Sequence, residues 1–505
     1  MTAFATPPET RESSIESIDP RDGAVVGSVP IHDEAAVDAA VARARTNQVE
    51  WGATTLSGRS THLRRVRAGI ARRSKELAEV IAAETGKPDF DAMAEVLSCC
   101  VLLTQVIRRA PKVLADERVS SFPLYVKRAE IRYEPYGVIG VISPWNYPAF
   151  VPVQALSSAL AAGNTAVLKP SELTPLTGLL LGEIINEAGI PLVEVVTGDG
   201  ATGAALSASA VDKIAFTGSP ATAKRILATA AEHLTPTVME LGGKDAMILC
   251  DDADVERAAR TAVAGCFANA GQTCIAVERV LVTPANHAAF REAAVRAGSQ
   301  LVVGPERNSD VGAITQPAQI DVIERRIEDA VSEGAAVVLG GRRRDDLGQS
   351  FFEPTIVDNV RPTMALARDE TFGPVLSIIP VADVEESVRV ANDCEYGLAG
   401  SVFGRDRARV EDVVRQFSTG AVSVNDALVT ALLPSLPFGG VRSSGFGRLH
   451  GDAGIREFAV PKAVAGDRLP RLPGLTSLMF GKVRPTPAQV SRLLGLLWGR
   501  SPRRE

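Results

Sequence analysis

Cysteine and histidine are scarce in this chain: six and five among 505 residues. So few thiols exclude a disulfide-built scaffold, and the adjacent Cys99 and Cys100 suit no ordinary bridge. Cys250, Cys266 and Cys394 stand among apolar or small residues, the setting of buried free thiols. His32, His62, His233, His287 and His450 are scattered with no metal-ligand spacing, so no metal site is expected, and a zinc enzyme or a Cys–His hydrolase is disfavoured. Positive charge is not in excess either. A net charge of −6 offers no basic surface for nucleic acid. The apolar runs are strand-sized or interrupted by Gly and Pro, which argues against a membrane-spanning helix. The opening Met1-Thr2-Ala3-Phe4-Ala5-Thr6-Pro7-Pro8-Glu9 has no basic segment followed by an apolar one, and a reducing cytoplasm is the expected compartment.

What is present is enough apolar material, 46% of residues, for the large cores of two to four domains. Residues 34–110 have helical spacing, as in Ala35-Ala36-Val37-Asp38-Ala39-Ala40-Val41. From about 137 to 250, short apolar runs alternate with helical segments and Gly-rich turns. These runs are Val138-Ile139-Gly140-Val141-Ile142, Ala166-Val167-Leu168, Val193-Glu194-Val195-Val196 and Lys213-Ile214-Ala215-Phe216. That pattern predicts a parallel sheet covered by helices, with ligands beyond the carboxyl ends of its strands. A second alternation, from about 251 to 450, predicts a second α/β domain. Between the helices and the first sheet, residues 124–133 partly alternate and predict an exposed strand pair whose edge needs a partner.

Two residues stand in settings suited to chemistry. Glu240, in Val238-Met239-Glu240-Leu241-Gly242-Gly243-Lys244, is a carboxylate among apolar residues, where burial raises its pKa toward that of a working general base. Cys274, in Asn269-Ala270-Gly271-Gln272-Thr273-Cys274-Ile275, follows a run that can form an exposed turn and present a thiolate to a carbonyl. Together they suggest a thiol nucleophile with a carboxylate that activates the thiol or, later, a water.

The chain resembles the aldehyde dehydrogenase superfamily. Beside the two stretches above, the resemblance is carried by Ser143-Pro144-Trp145-Asn146-Tyr147-Pro148, by Gly163-Asn164-Thr165-Ala166-Val167-Leu168-Lys169-Pro170-Ser171-Glu172, and by Phe216-Thr217-Gly218-Ser219. Glu370-Thr371-Phe372-Gly373-Pro374 and Pro437-Phe438-Gly439-Gly440-Val441-Arg442 complete it, all in the family's order between about residues 15 and 465. The implied fold is α/β, with a Rossmann-type NAD-binding domain (1–116 and 136–245) and a second α/β catalytic domain (246–450). A small β element (117–135 and 451–465) would join subunits into a homodimer or homotetramer, followed by a basic tail (466–505). The implied catalytic residues are Cys274, Glu240 and Asn146, the last donating to an oxyanion beside the Cys274 N–H. Taken alone, Asn146 reads better as a turn asparagine between prolines, and the resemblance is what makes it an oxyanion donor.

The implied cofactor is NAD, with NADP as an alternative. Its contacts would be Trp145, Lys169, Glu172, Phe216, Gly218, Ser219, Leu241, Glu370 and Phe372. Glu172 would meet ribose hydroxyls and repel a 2′-phosphate, although a solvated acid in a helix's first turn is its plainer reading. Gly198-Asp199-Gly200-Ala201-Thr202-Gly203 matches the dinucleotide fingerprint, but the resemblance favours an ordinary Gly-rich turn, because the family binds its dinucleotide without that motif. Aldehyde-tunnel positions would fall around Tyr147, Val151, Gln154, Thr273, Ile275, Leu432 and Phe438. None is an arginine that could pair a substrate carboxylate, yet the general texture resembles the succinate-semialdehyde-type branch. A CoA-acylating relative commonly lacks the Glu240 carboxylate, and a non-catalytic scaffold would be expected to lose Glu240 or Cys274; both are present.

One departure stands out. Many relatives carry a lysine nine residues after the asparagine and a glutamate after the late Gly-Arg, a pair ascribed to proton relay. Ala155 and Leu449 occupy those places here. The basic tail belongs to the texture that resembles the succinate-semialdehyde-type branch. From Asp467 onward there are eight basic residues (Arg468, Arg471, Lys482, Arg484, Arg492, Arg500, Arg503, Arg504) against Asp467 and Glu505, a charge of +6 that leaves −12 on the rest. Val490, Leu493, Leu494, Leu497 and Trp498 recur there at helical spacing, as in a helix docked on its own oligomer, a disordered end, or a helix lying weakly on an anionic membrane.

Overall fold

A computed structural model describes residues 14–122, 124–468 and 485–498. Contacts divide the chain into a large unit, 1–115 with 133–460, and a small one, 116–132 with 461–505. Arg471, Lys482, Arg484, Arg500, Arg503, Arg504 and Glu505 of the basic tail lie outside the described residues.

The large unit is built on two sheets. The first runs, in spatial order, Gly445–Phe446, Thr237–Leu241, Lys213–Gly218, Val138–Ile142, Thr165–Lys169 and Val193–Val195. Its last five strands are parallel, and read from Val193–Val195 their order is 3-2-1-4-5, that of the doubly wound Rossmann fold, with its switch point between Val138–Ile142 and Lys213–Gly218. The strands are buried throughout or nearly so, as expected of parallel strands covered on both faces, and this explains their near-continuous apolar runs. One face carries a core with Val37, Val41, Ile214 and Met239; the other carries Ile139, Leu156, Leu168 and the helix Asp89–Val113. By length and composition that helix could cross a bilayer. Here Val96, Leu102, Leu103 and Val106 are buried in the core instead.

Asn164 ties this layer together. Its Oδ1 accepts from the Gly137 N–H at 2.9 Å, and its Nδ2 donates to the Ala159 and Phe458 carbonyls at 2.9 and 2.8 Å. A buried amide with these partners costs little to desolvate, and its loss would take a partner from the Gly137 N–H and the Phe458 carbonyl, whereas the Ala159 carbonyl keeps the Asn164 N–H at 3.0 Å.

The chain crosses to the second sheet just after Leu241. That sheet runs Ala336–Leu339, Thr355–Asp358, Val375–Pro380, Val277–Val282, Asp245–Leu249, Ala399–Phe403 and Ala421–Val424, parallel except at the Ala336–Leu339 edge. The chain returns to the first sheet at Gly445–Phe446, where Gly445 pairs with Glu240, and the helix Gly451–Glu457 then packs Ile455 into the first sheet's core. The expected strand pair is present, with one strand upstream of residues 124–133: Lys127–Pro135 pairs antiparallel with Glu117–Val119, and Leu124 lies in the turn between them, where the Lys127 N–H donates to the Leu124 carbonyl at 2.8 Å. Apolar residues at a hairpin tip mimic strand alternation, which is why the pattern runs on through the turn.

Candidate active site

The carboxyl ends of the first sheet deliver most of the expected residues. Val138–Ile142 leads into Trp145 and Asn146, Thr165–Lys169 ends on Lys169, Lys213–Gly218 contains Phe216 and ends at Gly218, and Thr237–Leu241 carries Glu240 and Leu241. Glu370 and Phe372 precede Val375–Pro380, and Cys274 precedes Val277–Val282, so both arrive from amino ends of strands in the second sheet.

Two cavities meet at Cys274 and Glu240, each of which lines both. One, of about 190 Å³, is an apolar tunnel walled by Phe150, Val151, Ile275, Leu432 and Phe438, with Tyr147, Gln154 and Thr273 also in its lining. The other, of about 350 Å³, is lined by Trp145, Asn146, Gly218, Ser219, Leu241, Glu370 and Phe372. Trp145 and Phe372 meet edge to face with centroids 5.5 Å apart. Glu172 and Lys169 stand outside those linings as a strand-end pair, Lys169 Nζ donating to Glu172 Oε2 at 3.3 Å. Phe216 is buried with its ring against Gly218, where a Cβ would approach to 2.6 Å. Ser219 caps the helix Pro220–His233, accepting from the Thr222 N–H at 3.2 Å.

The backbone before the thiol is unusual. Asn269, Ala270 and Gly271 all have left-handed φ angles of 51°, 53° and 74°. A side chain on Gly271 would come within 2.1 Å of the Gly373 carbonyl. This strained turn is held by buried amides: Gln272 Nε2 donates to Asn269 O at 2.9 Å, and its Oε1 accepts from the Thr315 N–H at 2.8 Å. Asn146 is fastened to the same turn, donating through Nδ2 to Gln272 O at 2.9 Å. The glycines after Glu240 are a matter of space. At Gly242 a Cβ would lie 2.1 Å from a Glu370 carboxylate oxygen, and at Gly243 it would lie 2.4 Å from the Cys274 carbonyl.

Burial dominates the electrostatics. It raises Glu240 to about 7, opposed by the nearby Cys274 and Thr217 side chains, and Glu240 Oε1 is buried without a hydrogen-bond partner. Burial, then the charges of Glu240, Asp245 and Glu370, push the Cys274 thiol well above its usual range. Glu370 is raised to about 8 by burial and by Glu278, and it accepts from the Gly243 N–H at 3.1 Å. Burial and mutual repulsion therefore favour the protonated forms of Glu240, Cys274 and Glu370.

Several supporting residues had no motif to announce them. Lys87 Nζ, fully buried, donates to Glu95 at 2.8 Å and to the Asn146 carbonyl at 2.8 Å, and sits 4.3 Å from the centre of the Tyr147 ring. Glu95 also accepts from the Ala149 and Phe150 N–H groups. Glu95→Ala should cost roughly 3–5 kcal/mol of stability by stranding Lys87 in the interior. The check is a lower urea midpoint at unchanged slope. Lys244 pairs with Glu278, which accepts from the Thr371 N–H at 2.9 Å and the Phe372 N–H at 3.2 Å and so braces the loop of Glu370. Asp91 lines the tunnel with Oδ2 buried and unpartnered. His450 lies behind the tunnel wall, 2.8 Å from Gln154 Nε2, and burial lowers it to about 4.

Ala155 and Leu449 are brought together behind Glu240. With Val141, Val151, Phe216 and Val238 they line a pocket of about 10 Å³. The Gly198–Gly203 fingerprint lines neither cavity at Cys274. Asp199 caps the helix Gly200–Ala208 through the Ala201 N–H at 2.8 Å, placing a carboxylate where a phosphate would have to sit.

A half-buried thiol and a buried carboxylate at the junction of an apolar tunnel and a cleft at a nucleotide-fold switch point define an oxidoreductase-type site. Residues 6–464 match the Aldehyde dehydrogenase family, and the chain belongs to that family. It is 36% identical to a 4,4′-diapolycopene aldehyde oxidase of Methylomonas sp over 91% of this chain and 88% of the relative. Among solved structures it is similar to an NAD-dependent aldehyde dehydrogenase from Sinorhizobium meliloti (TM-score 0.88, 32% identity, 92% and 93% of the two chains). A succinate-semialdehyde dehydrogenase from Burkholderia pseudomallei is similar too (TM-score 0.87, 34% identity, 90% and 95%). The fold is therefore that of aldehyde dehydrogenases, with a Rossmann-like domain.

Proposed function

We propose that this family member oxidises an uncharged, apolar aldehyde to its carboxylic acid with NAD. The observation that carries the reading is that Cys274 and Glu240 line the tunnel and the cleft at once, so one carbon can face both a nucleophile and a cofactor. The cleft's Trp145–Phe372 aromatic pair and its buried Glu370 suit the nicotinamide half of a dinucleotide, which would lie by Leu241, Glu370 and Phe372, while the adenosine ribose would lie beyond that lining at Lys169 and Glu172. When bound, the oxidised nicotinamide supplies a hydride acceptor and a positive charge.

Cys274 releases its thiol proton to solvent, and the thiolate adds to the aldehyde carbon. The oxyanion of the resulting thiohemiacetal is held by Asn146 Nδ2 and the Cys274 N–H, donors typically worth roughly 3 kcal/mol. Loss of hydride leaves a thioester on Cys274. Glu240 then takes a proton from water, the hydroxide adds to the thioester carbonyl, and collapse expels the thiolate and releases the acid.

Among the described residues lining the tunnel none is basic, and Asp91 contributes an acid, so a carboxylated aldehyde such as succinate semialdehyde finds no counter-charge. The test is NADH formation with short aliphatic, long aliphatic, aromatic and carboxylated aldehydes. A carboxylated aldehyde giving the highest kcat/KM overturns the apolar reading, and no NADH from any class overturns the activity. For the cofactor, Glu172→Ser is expected to raise the NADP-to-NAD ratio of kcat/KM about tenfold by removing a like charge beside the 2′-phosphate. An unchanged ratio would place Glu172 away from the ribose. The sheet edges at Glu117–Val119 and Ala459–Asp467 support assembly into a homo-oligomer, and a free catalytic thiol suits a reducing cytoplasm.

A further inference from the structure

The tunnel that ends on Cys274 is bordered by apolar side chains that face solvent. On the helix Asp89–Val113, Phe90 is 81% and Leu97 63% exposed, and they flank the tunnel residues Asp91, Ala94 and Ser98. Across the opening Leu432, itself part of the wall, is 59% exposed, and Leu433 and Leu436 are exposed with it. Single exposed leucines are ordinary; a group of large apolar side chains beside one opening is the mark of an interaction site.

The small unit, taken by itself, makes a second observation of the same kind. None of the residues of its helix Pro487–Trp498 is buried, and Leu493, Leu494, Leu497 and Trp498 share one face while Arg492 lies opposite. Trp498 meets Phe122 of the hairpin tip at 6.5 Å, Phe122 meets Tyr125 at 5.9 Å, and Leu124 and Val126 beside them are exposed. From Arg468 to Arg504 the sequence has eight basic residues and no acid. Two copies of this segment meeting face to face would bring like charges together. A bilayer with anionic headgroups is the complementary partner, taking leucine and tryptophan to the acyl boundary and arginine to the phosphates.

We propose that this protein docks on an anionic lipid bilayer through the helix Pro487–Trp498 and the hairpin tip, and that its apolar tunnel border takes up an aldehyde dissolved in that bilayer. The docking half stands on exposure and charge alone. The uptake half rests on the function proposed above.

The test floats full-length protein with phosphatidylcholine vesicles, with and without phosphatidylglycerol. Recovery is expected to be about tenfold or more higher with the anionic lipid, which attracts the arginines, and to fall by a similar factor in L493E/L497E, whose glutamates remove two apolar anchors and repel the phosphates. Equal recovery on the two lipids, or of the two proteins, overturns docking. So does a loss of oligomer in L493E/L497E, read by light scattering, with flotation unchanged, because the helix is then an interface between copies. For uptake, F90S/L97S is expected to keep its turnover of a short soluble aldehyde and lose most of its turnover of a long-chain aldehyde held in vesicles. Retention of both overturns uptake. If wild-type protein oxidises neither aldehyde, the catalytic reading falls while flotation still decides docking.

Discussion

Cys274→Ala is expected to lower aldehyde oxidation by at least about 10⁴-fold, because removal of a covalent nucleophile removes the whole reaction path rather than one contact. Affinity for NAD should stay within a few-fold of wild type. The Cys274 side chain stands where tunnel and cleft join, whereas the groups proposed to hold the dinucleotide, Trp145, Lys169, Glu172, Glu370 and Phe372, are fixed by other elements. Folding should also survive, since the left-handed turn is held by Asn269, Gln272 and Asn146 and not by the thiol. NADH production at saturating substrates and NAD binding by calorimetry check both halves. Retained turnover in this variant would sink the mechanism.

Glu240→Gln should separate the two chemical halves. The amide cannot accept a proton from water, so hydrolysis of the thioester slows by roughly 10²–10⁴-fold, while hydride loss is spared more. Rapid mixing should then show one equivalent of NADH per site, followed by a stall. If the thiol depends chiefly on Glu240 for its deprotonation, the burst disappears as well, and Glu240 is the thiol's base. Wild-type deacylation should carry the same group's titration. Burial holds Glu240 at about 7, and only its ionised form acts as a base. The rate therefore rises with pH through about 7 and levels above it, lying about tenfold below the plateau one pH unit beneath that value. Glu240→Gln should lack this limb; a pH-independent wild-type rate between 6 and 8 would place the base elsewhere.

The parts of this molecule that were legible in its sequence are those whose reasons are local. Parallel strands announce themselves through continuous apolar runs, and Gly242, Gly243 and Gly271 stand beside the residues whose neighbours they make room for. The support of the site was illegible for the opposite reason. Lys87 and Glu95 lie more than fifty residues from the Asn146 loop that they hold, and Glu278 sits mid-strand in Val277–Val282 looking like any polar interruption. A buried lysine or glutamate has no sequence signature until its partner is known. Asp91 went unnoticed in the tunnel because an acid beside Asp89 in a helix's first turn reads as an ordinary dipole partner and carries no signal by itself. The Gly198–Gly203 turn is the reverse case, a motif whose spacing is satisfied by a helix cap.

The pocket behind Glu240 has one more consequence. Its volume of about 10 Å³ is at the threshold for a single water, and beside Val141, Val151, Ala155, Phe216, Val238 and Leu449 its lining carries the Ser143 and Thr217 hydroxyls, Ser143 Oγ being buried without a hydrogen-bond partner. Among the described residues, Glu240 is the one ionisable group in that lining. A water there would join the carboxylate to uncharged hydroxyls, so a proton passed inward meets no second base that could hold it, and a charged relay gives way to one that carries no charge of its own.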